Sequence, residues 1–265
     1  MLIEKIRIEP KTDQYPFNMK LFNQSLTFDL RSPVTLILGE NGSGKSSFLK
    51  ILQAKLKLIE IKIPNQHSKK QIDGSAVSLW PNIKKVKGFY FESLSFVNYL
   101  EYMINEIDQA NQEIKRVDDT YKNKSEYSKI MAKSPYRKTI HELENMYSKD
   151  LSKSSHGEAY LDFFASRIKD NQLYLLDEPE TPLSIQNQLT LMAMIMDACK
   201  RGCQFIIASH SPILTALPQA CIYQIKNESF IKTDYEDIDS INLLRQFLNH
   251  KETFIKHLTD EEIYE

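Results

Sequence analysis

The sequence predicts an α/β fold: a mostly parallel central sheet, an N-terminal β segment and a short inserted helical lobe. Three apolar, β-rich runs carry the sheet, at Val34–Leu38, residues 173–176 and Gln204–Ala208. Each is nearly continuous rather than alternating, as expected of central strands covered on both faces. An amphipathic stretch follows each of them, at residues 45–59, 184–200 and 212–216. Strands alternating with helices are the pattern of a parallel α/β sheet.

The remaining elements follow in order. Residues 1–10 alternate apolar and charged side chains and read as a first strand, without the apolar core of a signal peptide. Residues 86–91 form a fourth core-strand candidate. After them the character changes. Val97, Leu100, Ile104, Ile107 and Ile114 keep heptad-like spacing through a polar segment, the mark of an amphipathic helix. Pro135 is expected to interrupt this lobe, with a second helical stretch running to about Tyr147. The insert is too short for a long coiled-coil arm. From about Ser240 one or two helices close the chain. The organisation expected is therefore residues 1–92, the N-terminal β segment and first part of an α/β core; residues 93–153, the helical lobe; and residues 154–265, the rest of the same core.

Composition narrows the function. A formal charge of −1 gives no global attraction to nucleic acid or anionic lipid, so such contacts must be local. Residues 111–153 carry ten Lys/Arg against seven Asp/Glu. A solvated helical face explains that balance better than a DNA-contacting patch. No apolar run approaches the roughly 20 residues that span a bilayer, so the expected location is the cytoplasm with no membrane segment. Cys199, Cys203 and Cys221 lack a second Cys/His pair and read as packing residues rather than zinc ligands.

The chemistry is concentrated at two strand ends. Residues 39–46 read GENGSGKS, the P-loop pattern of glycines followed by Lys and Ser. Gly39, Gly42 and Gly44 let the backbone fold tightly, so that the N–H groups of the loop, through Glu40, Asn41 and Ser43, can face phosphate oxygens. The helix beginning near Lys45 aims its positive end at the same anion, with Ser47 in its first turn. Lys45 can reach the terminal phosphates of ATP, and the Ser46 hydroxyl can ligate Mg²⁺. The second strand end reads LYLLDE. Asp177 is suited to hold the magnesium, and Glu178, pointing the opposite way, to orient and deprotonate the attacking water. Upstream of the P-loop, Tyr15 first and Phe17 second are aromatic rings available to stack on adenine, and either fits equally as a core residue. ATP is preferred over GTP: the one near match to a guanine-reading motif, Asn123-Lys124-Ser125-Glu126, lies in the helical insert.

The pattern of motifs resembles the ABC-type P-loop ATPases. Ser155-His156-Gly157-Glu158 is similar to their signature, about twenty residues before the acidic strand. Ala208-Ser209-His210-Ser211-Pro212 looks like their switch-histidine region, and residues 179–184 occupy the D-loop position. The resemblance is closest to stand-alone bacterial ATPases related to the heads of recombination and chromosome-maintenance proteins of the SMC type. It implies an ABC-type head that hydrolyses ATP between two copies of the chain. Ser155 and the backbone of Gly157 would touch the γ-phosphate bound to the partner, and His210 would sense the γ-phosphate. Three departures stand out. His156 replaces the first signature glycine, Glu92 the glutamine that usually assists magnesium, and Ser184 the frequent D-loop aspartate. The function implied is a soluble switch or clamp in DNA maintenance or anti-phage defence, working on nucleic acid or an effector protein. The alternatives are the ATP-binding subunit of a membrane transporter, which shares every catalytic motif, and a nucleotide-binding scaffold with negligible turnover.

Overall fold

The computed structural model describes residues 1–63, 72–81, 85–144 and 156–260. In chain order the elements are β1 (Lys5–Ile8), β2 (Leu26–Asp29), β3 (Val34–Leu38), α1 (Lys45–Leu56), β4 (Ile59–Glu60), β5 (Val77–Trp80) and β6 (Gly88–Glu92). The helices α2 (Ser93–Thr120), α3 (Glu126–Glu144) and α4 (His156–Arg167) follow. The chain continues through β7 (Leu173–Asp177), α5 (Ile185–Lys200), β8 (Gln204–Ala208) and α6 (Pro212–Thr215). It closes with β9 (Cys221–Lys226), β10 (Ser229–Thr233), α7 (Asp239–Asn249) and α8 (Lys251–Asp260).

Among the described residues, seven strands form the central sheet in the order β10-β9-β3-β8-β7-β6-β4, and a separate three-stranded antiparallel sheet runs β2-β1-β5. All neighbours in the large sheet are parallel except the β9–β10 edge hairpin. The continuous apolar runs are explained by two cores, one on each face. Leu36, Leu176, Phe205 and Ile207 face one core, shared with α4, α5 and the base of α2. Ile37, Leu175 and Ile206 face the other, shared with α1 and the small sheet. Side chains alternate across a strand, so a strand sandwiched between two helical layers must be apolar at every position.

Two boundaries differ from the sequence reading near the P-loop. The helix there stops at Leu56, because Lys57 turns into the left-handed region at φ 53° and Ile59–Glu60 joins the sheet edge beside β6. The fourth core strand starts at Gly88 and includes Glu92.

Pro135 does not interrupt the insert. It lies within a continuous α3, and the break falls instead between Thr120 and Glu126. Ser125 supplies the restart signal, its Oγ accepting from Ser128 N–H at 3.2 Å. Pro135 lacks an N–H, but among the described residues of the outer lobe beyond Ala110 none is fully buried, so the carbonyl it leaves free can be solvated. The end of the second helical stretch expected near Tyr147 lies outside the described residues. With 28 residues, α2 is about 42 Å long and makes a helical hairpin with α3. Its base is the apolar part: Phe96, Leu100 and Met103 are buried in the core.

Candidate functional site

The P-loop bridges β3 to α1, at the end of the sheet where β7 and β8 also finish. Two of its glycines are required by the backbone. Gly42 has φ 78°, and Gly44, the residue before α1, has φ 108°. A Cβ on Gly44 would stand 2.8 Å from Leu21 Cδ2. Ser43 Oγ is buried without a hydrogen-bond partner among the described residues, a polar atom in the loop left for a ligand. Glu40 and Asn41 are exposed at the tip. Lys45 is 4% exposed and folds back over the loop, donating to Gly39 O at 2.9 Å and Glu40 O at 3.1 Å. These features fit a triphosphate. Glycines admit its oxygens, α1 directs its N-terminus at them, and a buried ammonium neutralises them.

The residues suited to magnesium lie at the mouth of this loop. Ser46 Oγ donates to Asp177 Oδ1 at 3.1 Å, and Tyr90 OH donates to Asp177 Oδ2 at 3.1 Å. Burial pushes the Asp177 carboxyl up to about 6, against those two hydrogen bonds, which favour its ionised form. A hydroxyl and one carboxylate are hard oxygen donors, and magnesium takes its remaining ligands from phosphate and water. The pair therefore fits that ion.

Glu178 takes a different set of partners from Asp177. Its Oε1 lies 3.2 Å from His210 Nε2 and 3.7 Å from Lys45 Nζ. Lys45 Nζ in turn lies 2.6 Å from His210 Nε2. Carboxylate, imidazole and ammonium thus converge on one point in front of the phosphate loop. Burial lowers the pKa of Lys45, while the charges of Glu178 and Asp177 oppose the fall. Glu178 itself has φ 49°, the left-handed region that a glutamate enters at a cost on the order of 1–3 kcal/mol.

The remaining candidates are distributed as follows. Tyr15 OH is hydrogen-bonded to Ser47 Oγ at 2.8 Å, with the tyrosine 42% exposed beside the start of α1. Phe17 is buried in the core and is unsuited to stacking on a ligand. Gly157 lies in the first turn of α4, where a Cβ would meet Asn187 Nδ2 at 2.7 Å; its close neighbours belong to α5 and the preceding loop, not to the P-loop. Ser155 lies outside the described residues. Ser184 caps α5, accepting from Asn187 N–H at 3.3 Å. The guanine-motif near match falls at the hairpin turn. A cleft of about 700 Å³ opens along the outer side of the loop, between Gly42, Ser43 and His210 and the β9–β10 turn at Asn227 and Glu228.

Three sets of contacts around this site were not read from the sequence, although Glu92 itself stood out there as a departure. Glu180 is buried, and its Oε1 accepts from Ser209 Oγ, His210 N and Ser211 N at 2.9, 2.6 and 3.1 Å, fixing the histidine loop. The second glutamate of Asp177-Glu178-Pro179-Glu180 was the available signal. Glu92 accepts from Lys50 Nζ at 2.8 Å and Ser95 Oγ at 2.5 Å. Burial works against its ionisation, but those hydrogen bonds prevail and hold it below the usual glutamate range. Lys50 lies one turn after Ser46, so α1 presents two rungs to two neighbouring strand ends: Ser46 to Asp177 and Lys50 to Glu92. The third group is Ser93 and Tyr160; Ser93 closes the segment GFYFES, but nothing in the sequence assigned either residue a role.

The family model described as ABC transporter matches residues 23–181. The chain belongs to the ABC transporter family. It has the family's α/β ATPase fold, and as an ABC ATPase it hydrolyses ATP with Mg²⁺; such ATPases act as dimers. A curated relative from Helicobacter pylori, named "Probable iron chelatin transport ATP-binding protein", is 24% identical over 233 residues, covering 83% of this chain and 84% of that protein. Among solved structures, a nucleotide-free ATP-binding cassette from an ABC transporter is 15% identical, with 91% and 96% of the two chains covered and a TM-score of 0.49. The SMC head domain from Thermotoga maritima is 13% identical, with 88% and 100% covered and a TM-score of 0.41. Among the described residues of this ABC family member, no helix is long and apolar enough to cross a membrane.

Proposed function

We propose that two copies of this ABC ATPase close on two ATP molecules, and that the cycle of closure and hydrolysis drives a soluble switch or clamp. The observation that carries the reading is the convergence of Glu178, His210 and Lys45, all within 2.6–3.7 Å of one another at the P-loop. In this reading the loop N–H groups and Lys45 bind and orient the phosphates. Glu178 takes a proton from the attacking water, and His210 holds that water and the γ-phosphate. Ser46 and Asp177 hold magnesium, which supplies charge neutralisation on the phosphates. Tyr15 stacks on the adenine. Gly157, at the start of α4, and Ser155, outside the described residues, complete the site of the partner copy, with the helix end adding its positive field.

The output of the cycle is assigned to the helical hairpin, acting on nucleic acid or an effector protein. Support comes from Glu92. In transporters the corresponding glutamine region contacts the membrane subunit. Here that position is tied internally to Lys50 and Ser95, and α2 starts at the very next residue.

The test is Glu178→Gln. The variant should bind ATP, lose turnover by about 10²-fold or more, and accumulate as an ATP-dependent dimer on size exclusion with light scattering. A monomer with ATP and wild-type phosphate release would reject the assignment.

The second reading is the ATP-binding subunit of a membrane transporter, favoured by the Helicobacter pylori relative, whose similarity spans 83% of the chain. Fractionation of native cells expressing Glu178→Gln separates the two. Recovery in a detergent-extracted complex with an integral membrane protein supports transport; recovery with a soluble partner or nucleic acid supports the switch.

A further inference from the structure

The peptide carbonyls of Glu178 and of the next residue, Pro179, are held by the first residue of the helical insert and by α4 rather than by the sheet. Ser93 Oγ, at the first residue of α2, donates to Glu178 O at 2.5 Å. Tyr160 OH, on α4, donates to Pro179 O at 2.6 Å. The two hydroxyl oxygens lie 3.1 Å apart. Each hydroxyl has one proton, and the two carbonyls take both. Ser93 is 4% exposed and Tyr160 0%, so neither carbonyl can exchange its donor freely for bulk water.

These bonds act on a strained residue. Glu178, at φ 49°, adopts a backbone conformation that persists only where the surroundings over-determine it. On the sheet side, Glu178 N donates to Ala208 O at 2.9 Å, and Thr181 N closes the turn onto Glu178 O at 3.1 Å. On the other side stand Ser93 and Tyr160. Their two helices are packed as one body, with Phe96 of α2 against Phe163 of α4 at 4.7 Å and against Tyr160 itself at 5.3 Å between ring centroids.

The geometry points to Ser93 and Tyr160 as positioning residues that set the backbone of Glu178, so that a shift of the hairpin base or of α4 moves the carboxylate against His210. This deepens the ATPase reading above and rests on it for its catalytic consequence. It supplies that reading with a mechanical link: what binds the hairpin, or what closes on α4 from the partner copy, is felt at the group that activates water.

The test compares Ser93→Ala, Tyr160→Phe and Ser93→Thr in the full chain. Amide hydrogen exchange of residues 178–183 is measured without nucleotide, and kcat and KM with MgATP. Both deletion variants should exchange this segment several-fold faster while the rest of the sheet is unchanged. Their kcat should fall about ten-fold or more with KM held within two-fold, since a small misplacement of a reacting group costs rate rather than binding. Ser93→Thr, which keeps the hydroxyl, should retain wild-type exchange and kcat. Unchanged exchange and kcat in folded variants would overturn the inference, as would a joint loss of kcat, ATP affinity and melting temperature, which marks a merely structural role. Should Tyr160→Phe fail to fold, Ser93→Ala with its threonine rescue decides. A wild-type chain without turnover defeats the ATPase reading separately, while the exchange data still report whether the two hydroxyls hold the turn.

Discussion

Lys45 Nζ lies 2.6 Å from His210 Nε2, joining residues 165 positions apart in the chain. The same Nε2 lies 3.2 Å from Glu178 Oε1, so His210 is already seated at the point where Lys45 and Glu178 meet. His210→Ala should lower kcat about 10²-fold, a typical loss for one preorganised polar group, with ATP affinity nearly unchanged. Steady-state phosphate release with a separate binding titration checks this. A raised KM at wild-type kcat would make His210 a binding residue only.

The ligand-free protein should show the cost of keeping Asp177 ionised. Burial raises its folded-state pKa from 3.8 to about 6. Between those values the folded chain holds more protons than the unfolded one, so this residue's contribution to stability falls as pH rises and is fully lost above about pH 6. The cost at pH 7 is on the order of 2–3 kcal/mol, at 1.36 kcal/mol per unit. Asp177→Asn should therefore stabilise the magnesium-free chain at pH 7 and much less at pH 4, while losing MgATP turnover. Urea melts at the two pH values decide; a variant equally destabilised at both contradicts the argument.

Gly44→Ala tests the P-loop backbone. The substitution meets both a φ of 108° and a methyl group of Leu21 at 2.8 Å. The expected loss is on the order of 1–3 kcal/mol from the backbone alone, with weakened nucleotide binding. Adding Leu21→Ala should remove the clash but not the backbone strain, so the double variant should still bind nucleotide more weakly than Leu21→Ala by itself. Full recovery would show that the φ value costs nothing.

The two-copy arrangement makes a separate prediction. Ser155→Arg should abolish ATP-induced dimers while single-chain nucleotide binding stays intact, measured by light scattering and by fluorescent-nucleotide titration. Loss of both would reject the role proposed for the signature segment.

Pro135 offers a test of the hairpin. Inside α3 it leaves the carbonyl of Met131 without an intrahelical donor. Pro135→Ala should restore that bond and raise the stability of the hairpin by about 1–3 kcal/mol, read as slower amide exchange along residues 126–144. Unchanged exchange would show that the helix does not bear the proline's cost.

The sequence by itself determined the parts of this protein that are contiguous in the chain. The sandwiched strands declared themselves as unbroken apolar runs because both faces of the sheet are covered. GENGSGKS and LLDE each encode in a few neighbouring residues the backbone and charge that phosphate chemistry requires. Pro135 misled because a local rule was applied where solvent could satisfy the freed carbonyl. Tertiary structure alone decided which distant groups meet. Ser93 reaches a carbonyl 85 positions away, Lys50 a carboxylate 42 away, and Glu180 the histidine loop 30 away. A serine at a helix start or a tyrosine in an aromatic cluster has no distinguishing periodicity. Its role comes from the close packing that aims its one proton at a particular oxygen, and that geometry exists only once the helices have docked on the sheet.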